Sequence, residues 1–203
     1  TGIWPVGFCT PAKKTSKNGA AGTTLFQPES IDMDKHRHML QNFVVPAMLT
    51  EFPDVECQRC AEIVIQQDGA PAHINPRDHE WMEHLTDMGL EEKTKLVTQP
   101  ANSPDLNVND LGFFAALQAM HCCTAPSNAI ELIEMVEQTC NDYPMNKINR
   151  MWLTLQTAFN SMLDNHGGND CPVTHMGKEK LKKAGRLPRV IDTNPIARYY
   201  LND

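Results

Sequence analysis

Ile63-Val64-Ile65-Gln66-Gln67-Asp68-Gly69 is the stretch on which the fold turns. Three β-branched apolar residues in a row, stopped at once by polar residues and a glycine, predict a short buried strand. A helical pattern follows from Asp78 to Met88 and ends at Gly89. Lys95-Leu96-Val97-Thr98 is a second short strand candidate, and Gln99-Pro100-Ala101-Asn102-Ser103-Pro104 reads as a loop. Strand, helix, strand, helix predicts an α/β layered core with further helices after it.

Working outward, Ser30 or Asp32 suits the N-cap of an upstream helix in which Leu40, Phe43, Val44, Ala47, Met48 and Phe52 recur at helical spacing. Pro46 lies inside that pattern. It should kink or split the helix, because proline lacks the backbone donor and clashes with the preceding turn. Earlier still, Gly2 to Phe8 is the only strand-like run, and Pro11 to Gly22 reads as an exposed loop or hairpin. Downstream, three helices are predicted. The first spans about Asn109 to Cys122, with Leu111, Phe114, Leu117 and Met120 in phase. The second spans about Ser127 to Asn141, with Ile130, Ile133, Val136 and Cys140 in phase. In the third, Ile148, Met151, Trp152, Leu155, Phe159, Met162 and Leu163 trace one apolar stripe that stops at Gly167-Gly168. The tail after Pro172 is basic and has room for one short helix.

The 203 residues, 41% hydrophobic and 21% charged, have the balance of a globular chain with a sizeable core and argue against wholesale disorder. No apolar run approaches the roughly 20 residues of a membrane span, and the first residues lack the pattern of a signal peptide. The chain begins with Thr1, which predicts a fragment or a processed product. A net charge of -7 does not advertise nucleic-acid binding. The charge is uneven, however. Lys178, Lys180, Lys182, Lys183, Arg186, Arg189 and Arg198 face only Glu179 and Asp192 over the same segment, and Lys13, Lys14 and Lys17 form a second cluster. Both read either as solvated surface or as phosphate contacts. Seven cysteines without a secretory signal predict reduced thiols. One CxxC, Cys57 and Cys60, and the doublet Cys122-Cys123 fall short of the two spaced pairs of a structural zinc site.

Two carboxylates stand out by position. Asp68 ends the predicted strand, and ligands gather at strand ends in α/β sheets. Asp110 stands in the predicted first turn of the Asn109–Cys122 helix, where the macrodipole favours an anion. If that helix packs beside the strand, the two acids converge on one divalent cation, for which hard oxygens select Mg²⁺ or Mn²⁺. Taken alone, the same residues are also an ordinary turn and an ordinary cap.

The surrounding residues add a resemblance. Ile65-Gln66-Gln67-Asp68-Gly69-Ala70-Pro71-Ala72-His73-Ile74 resembles the "QQDNAPxH" segment of mariner-like DNA transposases. Gln99-Pro100-Ala101-Asn102-Ser103-Pro104-Asp105-Leu106-Asn107-Val108-Asn109-Asp110-Leu111-Gly112-Phe113-Phe114 resembles their "QPPNSPDLNxxDLGFF" segment. Gly2-Ile3-Trp4-Pro5, Pro11 to Asn18 and Ala21-Gly22-Thr23 resemble the "GIWP … PAKRxSKN … AGT" stretch of the plant and oomycete branch. The three motifs occur in order over residues 2–118.

The resemblance implies an α/β, ribonuclease-H-like mixed sheet with flanking helices and carboxy-terminal helices, lacking the first strand or strands. It implies a partial catalytic core over 1–123, a helical extension over 124–170 and a basic tail over 171–203. It implies two-metal phosphodiester cleavage and strand transfer, with Asp68 and Asp110 as catalytic acids and metal ligands and Mg²⁺ or Mn²⁺ as the cofactor. Asp105, in a turn, competes with Asp110 for the third-acid role. His73, Asn102 and Ser103 are accessory. Lys13, Lys14, Lys17, Lys182 and Lys183 are candidate DNA contacts. The implied partner is DNA, with a homodimer as a further expectation, no membrane and no small-molecule substrate, and the implied place of action is the nucleus.

Two departures follow. Gly69 replaces the family's Asn after the second acid. The family's first catalytic Asp precedes the "GIWP" segment, so no residue here takes that role. The chain alone is therefore expected to be inactive, and its Asp68 strand to present an open edge that makes it marginally stable, aggregation-prone or dimeric. The alternative is a non-catalytic, transposon-derived remnant that binds DNA or protein.

Overall fold

The computed structural model describes residues 3–15, 20–53, 62–168 and 175–192. The contacts divide the chain into two compact units, Thr1–Ala101 with Ala125–Gln138, and Asn102–Thr124 with Thr139–Asp203. Cys57, Cys60, Lys17 and Arg198 lie outside the described residues.

In the first unit, β1 (Gly7–Pro11) and β2 (Thr24–Pro28) form an antiparallel hairpin with Gly7 opposite Pro28 and Pro11 opposite Thr24. The sequence reading placed its one strand-like run earlier and missed β2. Helix α1 (Met33–Met39) starts at Asp32, whose carboxylate accepts the Lys35 amide at 2.9 Å. It runs through a π-turn over Leu40–Val44 into α2 (Val45–Glu51). Pro46 stands in the first turn of α2, so the widened turn just ahead of it takes up the missing donor and the ring clash. Proline thus splits the helical segment without ending it.

Strand β3 (Ile63–Gln67) pairs in parallel with β4 (Thr94–Thr98), Ile63 opposite Thr94 and Gln67 opposite Thr98. Among the described residues β3 has a strand on one side only. The expected buried strand needs a correction. Ile63 and Ile65 pack on the core, but Val64 on the other face is 53% exposed. That face also carries the Lys95–Glu62 ion pair. A two-stranded sheet with helices on one side buries alternate residues, not a continuous run.

Between the strands lies α3 (His79–Asp87), capped by Asp78, whose carboxylate accepts the Trp81 amide at 3.0 Å. Its end is a Schellman motif: Gly89, at φ 65°, donates to the Thr86 carbonyl and Leu90 to the Leu85 carbonyl. Trp81, Leu85, Leu90, Ile74, Leu96, Leu40, Val45 and Met48 make one core. The Arg37 guanidinium clamps both Asp78 oxygens at 2.8 Å, tying α1 to the cap of α3. That fork holds the Asp78 carboxyl below the usual carboxylate range.

In the second unit, a 3₁₀ turn over Pro104–Leu106 buries Leu106. A π-turn over Asn109–Phe113 leads into α4 (Phe114–Thr124), with non-helical backbone at Gly112. This corrects the expected continuous helix. Asp110 sits in an isolated turn ahead of a kink, so the aligned peptide dipoles of a regular first turn do not stand behind it. Phe114 and Met120, expected on a buried stripe, are 47% and 43% exposed. Helix α5 (Ala129–Asp142) opens with a capping box: Asn128 Oδ1 accepts the Glu131 amide, and Glu131 accepts the Ser127 amide.

Helix α6 (Met145–Asp164) buries Met151, Leu153, Leu155 and Ala158. Trp152 and Phe159, placed on the apolar stripe by spacing, are exposed instead. Gly112 lies against the Met151 side chain, which anchors the kink on α6. Helix α7 (Lys178–Lys183) is tied to α6 by the Arg150–Glu179 ion pair and by Lys178 Nζ, which donates to the Arg150 carbonyl at 2.8 Å. The chain after it stays on α6, where Gln156 Oε1 accepts the Ile191 amide at 2.7 Å.

Candidate functional site

Asp68 is the first residue beyond the carboxyl end of β3. Its side chain is half exposed, and Oδ1 accepts the Ala70 amide at 2.9 Å, an Asx turn that fixes the carboxylate's rotamer. The same oxygen lies 2.9 Å from Nδ1 of His73, and that nitrogen also faces the Asp68 carbonyl at 3.0 Å. Two oxygen acceptors at Nδ1 put its proton there. Oδ2 of Asp68 keeps no protein partner among the described residues and is the oxygen left for a ligand.

His73 owes its position to the loop that returns from β3 to α3. The Gln67 side chain crosses under this loop and donates to the Ile74 carbonyl at 2.7 Å, while Ile74 itself is buried in the core. His36, on α1, packs against His73 with ring centroids 4.4 Å apart and ring planes tilted by 34°. Its Nδ1 accepts the Ile74 amide at 3.3 Å, so the proton of the neutral ring sits on Nε2. Burial and the His73 ring push the His36 pKa down to about 4, against a smaller upward pull from Asp68. His36 is the member of this cluster that sequence reasoning missed. It lies 38 positions from the amide it accepts, and nothing local marks it.

A pH dependence follows. The folded pKa of His36 lies below its ordinary value of about 6.5, so the unfolded chain binds the extra proton more readily. This contribution to stability is whole above about pH 6.5 and is lost as pH falls from there towards 4. His36→Gln keeps an acceptor for the Ile74 amide and cannot titrate. Urea unfolding at several pH values across that window is expected to show a decline in the parent chain that is flatter in the variant. Identical slopes would remove His36 as its source.

The other candidate residues lie in the second unit. Asn102 takes the left-handed backbone at φ 56°, and Ser103 is buried with its carbonyl accepting the Leu106 amide. The two shape the loop before the 3₁₀ turn, on which Asp105 is exposed. Asp110 is exposed as well, and the turn carrying it starts where Asn107 Oδ1 accepts the Asn109 amide at 3.0 Å. Lys13 and Lys14 are exposed just past β1, and Lys182 and Lys183 on α7. No Cβ contact lies within 4 Å at Gly69, so the loop has room for an asparagine there.

Asp68 leaves one carboxylate oxygen open, and Asp110 carries an exposed carboxylate in the other unit. Among the described residues no three His, Cys, Asp or Glu side chains already gather around one point. Cys122 and Cys123 are exposed free thiols on α4. In comparisons with known proteins, no protein-family model, no curated protein and no solved structure matches this chain.

Proposed function

We propose that this chain is part of the catalytic domain of a mariner-like DNA transposase, acting on DNA in the nucleus, with Asp68 and Asp110 as two of its metal-binding acids. The ordered motifs around those two residues carry this reading. The placement of Asp68 supports it: a carboxylate at the carboxyl end of a parallel strand, rotamer fixed, with one oxygen open. Asp68 and Asp110 would hold Mg²⁺ or Mn²⁺. When bound, the cations supply activation of a water or 3′-hydroxyl and stabilisation of the leaving oxygen in an in-line displacement at phosphorus. His73 orients Asp68 through its Nδ1–H and so acts as a positioning residue. Basic residues of the hairpin and of α7 supply sequence-independent phosphate contacts.

The reading requires the two acids to share a cation, and paramagnetic Mn²⁺ tests that on the chain as it stands. The amide resonances of Gly69 and Leu111 are expected to broaden together at one Mn²⁺ concentration. Asp68→Asn or Asp110→Asn should relieve both. Broadening at one position alone, or relief confined to the substituted side, would overturn the shared site and favour a non-catalytic binding module.

A further inference from the structure

The second unit contains a half-open cavity of about 600 Å³ between α6, the start of α7 and the turn that carries Asp110. That volume is within the range of roughly 300–1,000 Å³ typical of small-molecule sites. Its apolar wall comes from Leu111 and Met176, with the methyl groups of Thr154 and Thr157. Both threonine hydroxyls donate to their own helix, Thr154 to the Arg150 carbonyl at 2.9 Å and Thr157 to the Leu153 carbonyl at 2.8 Å. Their protons are therefore not offered to a ligand.

The groups left to donate are cationic. Lys178 Nζ gives two of its three protons to the Arg150 carbonyl and to Thr154, and the third remains. Lys180 and His175 also line the cavity, exposed and without a partner among the described residues. Glu179 is already paired with Arg150. Burial and the neighbouring Arg150 lower the Lys178 pKa, a strain on its charge that a bound anion relieves. The cavity thus asks for a ligand with an apolar, flat body and an anionic group. Lys182 and Lys183, exposed on the same helix, and Arg186 after it continue the positive charge along the chain. An open cavity on so basic a segment fits one unit of a polyanion better than a free small molecule. Leu111 follows Asp110 directly, which puts the cavity beside the candidate acid.

We propose that this cavity seats one unpaired nucleotide of a DNA strand, its phosphate on Lys178 and Lys180 and its base against His175 and Leu111. The proposal rests on the DNA-processing reading above, but its test needs neither metal nor cleavage, so the two fail separately.

The test is fluorescence anisotropy of the full chain with a labelled oligothymidylate of five nucleotides, in chelator. Lys178 is left intact because it also holds α7 to α6. His175→Ala is expected to weaken single-strand binding by about 5- to 100-fold, the range for losing one stacked base. Lys180→Gln should weaken it and lower the salt slope by about one. Both variants should melt like the parent. Thymidine monophosphate should compete better than inorganic phosphate. Equal competition by inorganic phosphate would mean a phosphate contact without a base site and would overturn the proposal. So would a stable hairpin duplex that binds as tightly as the single strand, or a phosphopeptide that displaces the oligonucleotide better than thymidine monophosphate does. Unchanged affinity in His175→Ala, with the fold intact, would do the same.

Discussion

Asp68→Ala and Asp110→Ala, each made in a longer protein that supplies an upstream acid, are expected to abolish Mg²⁺-dependent strand cleavage while leaving DNA binding intact. The expected loss exceeds about 10³-fold for each, since removing a ligand carboxylate removes charge stabilisation that develops at the transition state. The pair should not be additive, because both changes empty the same site. At Asp68, Oδ1 is held by the Ala70 amide and His73, which leaves Oδ2 as the oxygen for the metal. His73→Ala should cost less, about 10- to 100-fold, the usual penalty for losing the partner that orients a ligand. Asp105→Ala is the control within the same loop. It sits on the 3₁₀ turn, five residues before Asp110, and should cost under about tenfold. Cleavage assays on end-labelled DNA, run beside gel-shift binding, read all four variants. Cleavage retained in Asp68→Ala or Asp110→Ala would sink the assignment, and an equal loss in Asp105→Ala would move the role to that residue.

The second large effect is on stability. Trp81→Ala is expected to unfold the first unit or to destabilise it by about 3–5 kcal/mol, the usual range for truncating a buried aromatic residue. Trp81 has no exposed surface and belongs to the core that joins the π-turn at Leu40, α2, α3 and β4. Trp81→Phe should cost much less than its lost volume suggests. The Trp81 indole N–H is buried with no partner among the described residues, and phenylalanine removes that orphan donor, which recovers about 1–3 kcal/mol. Denaturant melts of the two variants check the difference. A Trp81→Phe cost as large as its lost volume gives would show that the N–H is satisfied in solution. The same substitution reaches the candidate site, since Ile74 of this core fixes the loop carrying His73.

Such contrasts separate the legible from the illegible. Asp32 as one of two candidate caps, Gly89 as a helix end, Pro46 as a break and Asp68 at a strand end were readable from residue type and spacing. Each acts on backbone groups within about four positions, so its physics is local. The burial of apolar faces was not readable in the same way. Trp152 and Phe159 fit the helical spacing of a buried stripe, yet burial on that side of α6 reaches Met151, Leu155 and Ala158 and stops short of them, while Leu153 is buried on the opposite face. Periodicity says that a face is apolar; which flank of it a neighbour covers depends on where that neighbour packs.

By itself the sequence determined the order β3, α3, β4 and the helices after them, the stop of α3 at Gly89 and the two acids worth testing, because these rest on short-range hydrogen bonds and on residue chemistry. The tertiary structure alone decided that the hairpin has a second strand, that β3 is covered on one face, that Asp110 lies in a turn broken from its helix, and that His36 packs against His73. It also decided that Arg37 locks Asp78 across 41 positions. These are contacts between residues remote in the chain, formed only once the core brings their elements together, and no local pattern encodes which remote partner arrives.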